Sequence, residues 1–496
     1  MRIRQVQIGL IAVAAAVAAG IAERVLVYRS VVGRLDGDEA VWGLMARHAI
    51  HGHISAFFWG QSHEGTQEVV AVAILFAAFG THVLLMRLVP IALTAITAYV
   101  VWRIGRRAIG EPGATVAALL LWVWPAYAIW KLNHWHGSYG SSLLYSALLM
   151  LLALRIDEHP MRRDIGLLGL VLGLSFWQSD AIIVVAIPVL VWLTIRRASV
   201  WRSSWIALPG LVIGSLPWLL SNVRHDWWTF TVGSGGESYP QRFRAFFTAG
   251  LPMLMGLRVP FAVNWLDRWH LAQLAYYALL ALFVYVAWRT WRTPFSLVVC
   301  VAALYPVVYA LSWRTSLVTE PRYVLFIAPA LVLLLARAAT NWWRGGALLA
   351  TAGALSAITL HEFVHWQHVN DPNPPDAQAV NVRPAIAALE ARNLTHVWAD
   401  YWVAYRITFL THEHVIAAEA PLAQLHVVEG GRVMPPVPAN YTDSRHPAYD
   451  AAVRDSEHQG FLLVRGAPTT AADRRLLLAH GYHETDLANF ELFSDF

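Results

Sequence analysis

The chain has 496 residues, 57% of them hydrophobic and only 14% charged, and its mean hydropathy is +0.46. Soluble domains carry nearly twice that share of charge, so the composition excludes an ordinary soluble protein and describes a polytopic membrane protein. The net charge of +5 comes from arginines set in short loops, which reports topology and points to no nucleic-acid partner.

In chain order, the N-terminus (MRIRQVQ, then apolar residues 8–22) has the outline of a signal peptide. The run continues to about residue 27 with Glu23 and Arg24 inside it, so it is read as a retained first span, 7–27. Further spans are predicted at 82–104, 112–130, 137–155, 163–177, 179–196, 203–222, 270–289, 295–312, 321–338 and 344–362, which makes eleven. The apolar segment 66–79 is too short for a span and is placed as a re-entrant or surface helix. This arrangement collects Arg2, Arg4, Arg103, Arg106, Arg107, Arg155, Arg162, Arg163, Arg196, Arg197, Arg202, Arg289, Arg292, Arg337 and Arg344 on one side, which the positive-inside rule makes cytoplasmic. The N-terminus then lies inside, and loops 28–81 and 223–269 and everything after residue 363 lie outside. Several of the 24 tryptophans, among them Trp122, Trp124, Trp218, Trp227 and Trp342, fall near span ends where an interfacial belt is expected. Cys300 is the single cysteine, which excludes an intramolecular disulfide and a cysteine-built metal site.

After Asn370 the pattern changes. NDPNPPD reads as a Pro-rich linker, and nothing beyond it is long and apolar enough to cross a bilayer. PAIAALEARN (384–393) predicts a helix, THVWA a strand, Tyr401 the start of a second helix, and His414 to Ala418 another strand. A late helix, 471–480, leads into YHETDLANFELF, which alternates like a strand. The chain thus divides into a transmembrane domain, 1–370, and a small extracytoplasmic α/β domain, 371–496. Trp398, Tyr401, Trp402 and Tyr405 fall in one short stretch of the latter and read first as its core.

Ionisable residues on the predicted outer face mark the candidate site. Asp38 and Glu39, in RLDGDEAVWGLMARHAIHG, form an acidic pair beside the end of the first span. Carboxylates there are costly unless they face water or a substrate, and the competing reading is an Asp-rich turn capping the helix from about Ala40. His63 and Glu64 follow in the same loop, and Arg258 and Asp267 come from the third outer loop. Arg314, Glu320 and Arg322 stand before a late span. Lys131 is the only lysine among 37 Lys and Arg residues, a compact charge suited to phosphate where a guanidinium fork is not equivalent. Snorkelling span-end cations are the plain alternative for Lys131 and Arg322. A second motif, His361-Glu362-Phe363-Val364-His365, is an HExxH whose histidines share a helix face, with His368 or Asp371 as conceivable third ligands for zinc. There is no GxxxxGK[ST], no dinucleotide fingerprint and no GxSxG.

An acidic pair in the first outer loop of a many-span protein resembles the GT-C class of membrane glycosyltransferases, in the branch of the protein O-mannosyltransferases and the lipid A aminoarabinose transferase. DEAVWGLMARHAIHG is similar to that branch's opening, FGTHVLLMRLVPIAL to its next span with Arg87, Leu88 and Pro90 in place, and EPRYVLFIAPALVLLLA to its late span. GLSFWQSD and ADYWVAYRITFL resemble uncharacterised bacterial members, so the likeness covers most of 34–340 and, more loosely, the outer domain. The resemblance implies a polytopic α-helical GT-C fold and an inverting transfer of a sugar from a polyprenyl-phosphate donor to an acceptor hydroxyl at the outer face of the cell membrane. It implies Asp38 as the base with Glu39 beside it; donor contacts are expected, from residue type and inferred outer position, at Lys131, Arg322, Arg258, His63 and Glu64. The acceptor would be a protein, a glycolipid or a polysaccharide. No cofactor is required, and a divalent metal is compatible with the chemistry. Two departures stand out: QSHEGTQE replaces the branch's Lys-Pro-Pro, and HGSYGSS carries no carboxylate after its glycines. The alternatives are an intramembrane zinc peptidase on the HExxH and a non-enzymatic lipid-binding or flipping protein.

Overall fold

The computed structural model describes residues 2–231, 237–262, 264–266, 270–312, 321–339, 341–370, 380–420, 424–428, 431–437, 444–466 and 470–495. Asp267, Arg314, Glu320, Asp371 and most of the predicted linker lie outside the described residues.

Each stretch read as a span is helical. The helices are Arg2–Arg29, Val83–Ala108, Gly113–Val123 with Ala126–Lys131, Tyr139–Glu158, Arg162–Gln178, Ile183–Arg197, Ala207–Arg224, Leu271–Thr290, Ser296–Leu311, Ala328–Ala336 and Trp342–Asn370. Among the described residues six helical stretches are long and apolar enough to cross a membrane, and the chain is a multi-pass membrane protein. The 112–130 stretch is broken because Trp124 is extended and Pro125 follows it. The short helix expected at 66–79 is Gln67–Phe79, 13 residues or about 20 Å at 1.5 Å per residue, less than a bilayer core.

The chain divides into two compact units. The first comprises Met1–Arg29, His63–Glu68 and Arg87–Val364 and holds most of the apolar helices. Its tightest seam joins Arg162–Gln178 to Ala207–Arg224 through Gly169 and Gly173 on one helix and Gly210 and Gly214 on the other. A Cβ on Gly169 would fall 2.0 Å from the Ala207 carbonyl oxygen, and one on Gly173 2.3 Å from that of Leu211. Without side chains between them the two backbones meet directly, which is how helices associate where lipid removes the hydrophobic drive. Arg24 is tolerated inside the first helix because its Nη1 donates to the carbonyls of Gly20 (2.8 Å) and Trp122 (3.0 Å), with the guanidinium 3.6 Å from the Trp122 ring. Ion pairs draw three of the predicted cytoplasmic loops to one end: Arg107 to Glu158, Arg155 to Asp164, and Arg196 and Arg197 to Asp157.

The second unit comprises Ser30–Ser62, Val69–Met86 and His365–Phe496. Its centre is a five-stranded sheet built from β1 (His396–Ala399), β2 (Ile416–Glu419), β5 (Gly460–Val464), β6 (His483–Asp486) and β7 (Phe490–Ser494) in the order β2-β1-β5-β7-β6. β3 (His426–Val427) and β4 (Val433–Met434) form a separate antiparallel pair. β1 runs parallel to β2 and β5, whereas β7 pairs antiparallel with β5 and β6. Alternation splits the core between the two faces: Val397, Ala399, Leu462 and Leu492 on one, Trp398, Phe461, Leu463 and Phe493 on the other. The stretch 482–493, read as one strand, is the β6–β7 hairpin. The helix Tyr401–Leu410 follows β1 directly, capped by Asp400, whose carboxylate accepts from the Trp402 N–H (2.9 Å).

Candidate active site

Asp36, Asp38 and Glu39 have three different surroundings. Asp36 is the cap of the helix Gly37–Ile50, its side chain accepting from the Glu39 N–H at 2.8 Å, so the capping role belongs to the residue two before the candidate base. Glu39 is fully buried. Asp38, in the first turn, is partly exposed, and its Oδ1 accepts a hydrogen bond from the Tyr401 hydroxyl. That contact depends on close helix packing: a Cβ on Gly37 would fall 3.1 Å from the Trp402 ring and 3.3 Å from the Tyr401 ring.

A polar chain continues behind this pair. The Arg445 guanidinium sits 5.4 Å from the ring centres of both Tyr401 and Phe58. The Tyr405 hydroxyl accepts from the Arg445 backbone N–H (2.9 Å) and donates to Glu419 Oε2 (3.4 Å). Burial, and then the adjacent Asp38 carboxylate, hold the Tyr401 phenol well above its ordinary range, so it stays a proton donor to Asp38. Burial pushes Glu419 up to about 7 against the opposing pull of Arg445. Trp398 and Tyr405 are core residues, as the sequence suggests; Tyr401 is the one that turns to Asp38.

The remaining candidates belong to the first unit. Lys131 ends the helix Ala126–Lys131, 4% exposed, with Nζ 4.7 Å from the Tyr139 ring centre and 5.7 Å from that of Trp130. The Arg258 guanidinium lies 4.5 Å from the Trp265 ring, and Arg322 opens the turn Arg322–Ile327. His63 and Glu64 precede Gly65, whose N–H donates to the Gln178 carbonyl at 2.9 Å; Glu64 has φ +65°. Glu68, which the sequence did not single out, is buried and accepts from the Ser141 N–H (2.9 Å) and hydroxyl (2.7 Å). The loop HGSYGSS, without a carboxylate of its own, thus receives one from another segment. The HExxH residues His361, Glu362 and His365 are all exposed, and among the described residues no three His, Cys, Asp or Glu side chains gather as a metal site.

A second polar cluster lies further along the first-loop helix. Glu413 accepts from Arg47 Nη1 (3.2 Å), His48 Nε2 (2.9 Å) and the Tyr449 hydroxyl (2.7 Å). Burial works to raise its carboxyl, but these donors together outweigh it and hold the group down at about 2. The neighbouring His446 ring, packed on His48, Trp59 and Tyr449, is lowered to about 4 by burial and by His48, with Glu413 opposing. Between pH 6.5 and about 4 the unfolded chain therefore takes up a proton on His446 that the folded chain refuses, and stability falls with pH through that window. Glu413 adds a further loss from about 4.5 towards 2, while Glu419, raised to about 7, works in the opposite sense between 4.5 and 7. Comparison with a variant isolates the histidine. As pH falls from 6.5 to 4, wild type should lose stability relative to His446→Gln in thermal unfolding; a constant difference would contradict the assignment.

A family model described as dolichyl-phosphate-mannose-protein mannosyltransferase matches residues 70–220. No curated protein matches the chain by sequence. Among solved structures the chain is similar to ArnT from Cupriavidus metallidurans bound to undecaprenyl phosphate, with TM-score 0.65, 14% identity and 98% of each chain covered. It is also similar to the Archaeoglobus fulgidus oligosaccharyltransferase tethered with an acceptor peptide, with TM-score 0.51, 12% identity, and 98% of this chain and 74% of that one covered. At such identity a likeness establishes architecture alone, and the architecture is plain: the chain has the GT-C fold of membrane glycosyltransferases.

Proposed function

We propose that the protein is a glycosyltransferase of the cytoplasmic membrane that moves a sugar, with inversion, from a polyprenyl-phosphate donor to an acceptor hydroxyl at the outer face. The observation that carries this reading is Asp38, a partly exposed carboxylate oriented by the half-buried Tyr401 hydroxyl. The family-model match and the likeness to a protein bound to undecaprenyl phosphate support the donor class.

In this reaction the acceptor O–H gives its proton to Asp38 while its oxygen attacks the anomeric carbon from the face opposite the phosphate. The bond from that carbon to the phosphate oxygen breaks, and polyprenyl phosphate leaves with the bonding pair. The donor is already anchored in the membrane, so the protein's task is to hold charge and align the hydroxyl. Lys131 is assigned the donor phosphate, helped by Arg322 and Arg258, and His63 and Glu64 the remaining donor contacts. Glu39, being buried, acts as a neighbour to the base without touching substrate. The N-terminus lies in the cytoplasm and the C-terminal domain outside.

Transfer from a lipid-linked sugar by purified protein tests the whole reading. Lys131→Ala is expected to weaken undecaprenyl-phosphate binding about tenfold or more, since a hydrogen bond to a charged group contributes about 1.5–3 kcal/mol. Equal donor affinity in wild type and variant removes Lys131 from the phosphate site.

A further inference from the structure

The second unit carries a pocket of about 670 Å³. It lies between the last turn of the helix Gly37–Ile50, the segment after it, and the turn that follows the helix Tyr401–Leu410. Arg47, His48, His51, His53, Trp59 and Glu413 line it. Glu413 is the one acid among the lining residues, and its oxygens are already committed to three donors, from Arg47, His48 and Tyr449. The chain tolerates left-handed backbone at both His412 (φ +54°) and Glu413 (φ +65°) to make that arrangement, a local strain that persists only where surroundings enforce it. One wall is aromatic: the Trp59 ring centre lies 4.3 Å from His446 and 5.1 Å from His48. His51 and His53 stand exposed at the rim.

The chemistry of this lining is one-sided. Hydroxyl groups of a neutral sugar donate as well as accept, and a free carboxylate is the strongest acceptor that a site can offer them. Here the single carboxylate already accepts three hydrogen bonds, from Arg47, His48 and Tyr449, and what remains at the rim are the imidazole N–H donors of His51 and His53 and the flat Trp59 ring for the C–H face of a sugar. The fitting ligand is rich in acceptors and negatively charged. Its place relative to the candidate base follows from the helix both share: His48 is ten residues beyond Asp38, about 15 Å at 1.5 Å per residue.

Resting on the glycosyltransferase reading, we propose that this pocket binds an acidic sugar unit of the acceptor, bearing a phosphate or a carboxylate, about 15 Å from the hydroxyl that receives the new sugar. The acceptor is then an anionic glycan or glycolipid rather than an isolated Ser or Thr side chain, and recognition is separated from the reacting centre.

Calorimetric titration of the full-length protein in detergent with glucose 6-phosphate, glucuronic acid, glucose and inorganic phosphate tests this. Saturable binding of glucose 6-phosphate or glucuronic acid, at least tenfold tighter than glucose or phosphate alone, is expected, and the tighter of the two acids identifies the charged group. The double variant His51→Ala/His53→Ala, exposed and so expected to keep its thermal stability, should weaken that binding tenfold or more, as should Trp59→Ala. No saturable binding, equal binding of glucose, or unchanged affinity in the histidine variant overturns the proposal. Undecaprenyl-phosphate binding by the wild type is measured in parallel: its loss sinks the transferase reading and leaves the acid-sugar result standing, whereas its presence without acid-sugar binding sinks the pocket alone.

Discussion

Asp38→Asn is expected to lower sugar transfer by about 10²–10⁴-fold, the usual cost of removing a general base, while the protein remains folded and still binds undecaprenyl phosphate. The amide keeps the shape of the carboxylate and its carbonyl oxygen still accepts from Tyr401, so the change removes basicity with little disturbance of packing. Tyr401→Phe takes away the donor and leaves the acid. Its expected effect is smaller, about tenfold, and falls on kcat rather than KM, because the tyrosine holds Asp38 without meeting the acceptor. If Tyr401 acts only through Asp38, the double variant should be no slower than Asp38→Asn alone. Additive losses would show that Tyr401 has an independent role, and full activity in Asp38→Asn/Glu39→Gln would end the assignment of the base.

The second large effect is on stability. Gly173→Val places a side chain where a Cβ alone would lie 2.3 Å from the Leu211 carbonyl oxygen and 2.9 Å from the Ser215 nitrogen. Both obstacles are backbone, so the helices Arg162–Gln178 and Ala207–Arg224 must separate instead of a side chain turning aside. Overpacking of a well-fitted interior costs about 1–3 kcal/mol per site. Combined with Gly169→Val, where the gap to Ala207 is 2.0 Å, little folded protein should survive extraction into detergent. Gly166 is the internal control. A Cβ there meets only Ile206 at 3.8–4.0 Å, so Gly166→Ala should be neutral in thermal unfolding, or stabilising by roughly 0.5–1 kcal/mol through helix propensity. A Gly173→Val protein as stable as Gly166→Ala would mean the seam is not the close contact described.

The apolar spans were legible because bilayer-length hydrophobic runs are long, and arginine-bearing loops punctuate them. Where the reading fell short, the reason was local. Residues 482–493 alternate on both sides of a turn, so periodicity alone joined two strands that Leu487, Ala488 and Asn489 separate. β5 (GFLLV) is an unbroken apolar run with no period-two signature, the expected look of a central strand covered on both faces. In the candidate site, the acidic pair was visible, but the division of labour among Asp36, Asp38 and Glu39 was not. Only cap geometry and burial separate a cap, an accessible acid and a buried one. Tyr401 stood in an aromatic cluster that reads as core, and its tie to Asp38 spans 363 positions, leaving no trace in any sequence window. Glu68 was hidden for the same reason: its partner Ser141 lies 73 positions away.

That separation of 363 positions has a consequence for how the protein is made. Translation at about 5–20 residues per second leaves the first-loop acid without its tyrosine for roughly 20–70 s. Through that interval the apolar helices emerge and enter the membrane. The proposed base reaches its oriented state only when the last hundred residues have emerged and folded their sheet. Order of synthesis therefore delays the orientation of the acid: a chain that stalls or is cut before residue 401 carries Asp38 without the hydroxyl that holds it.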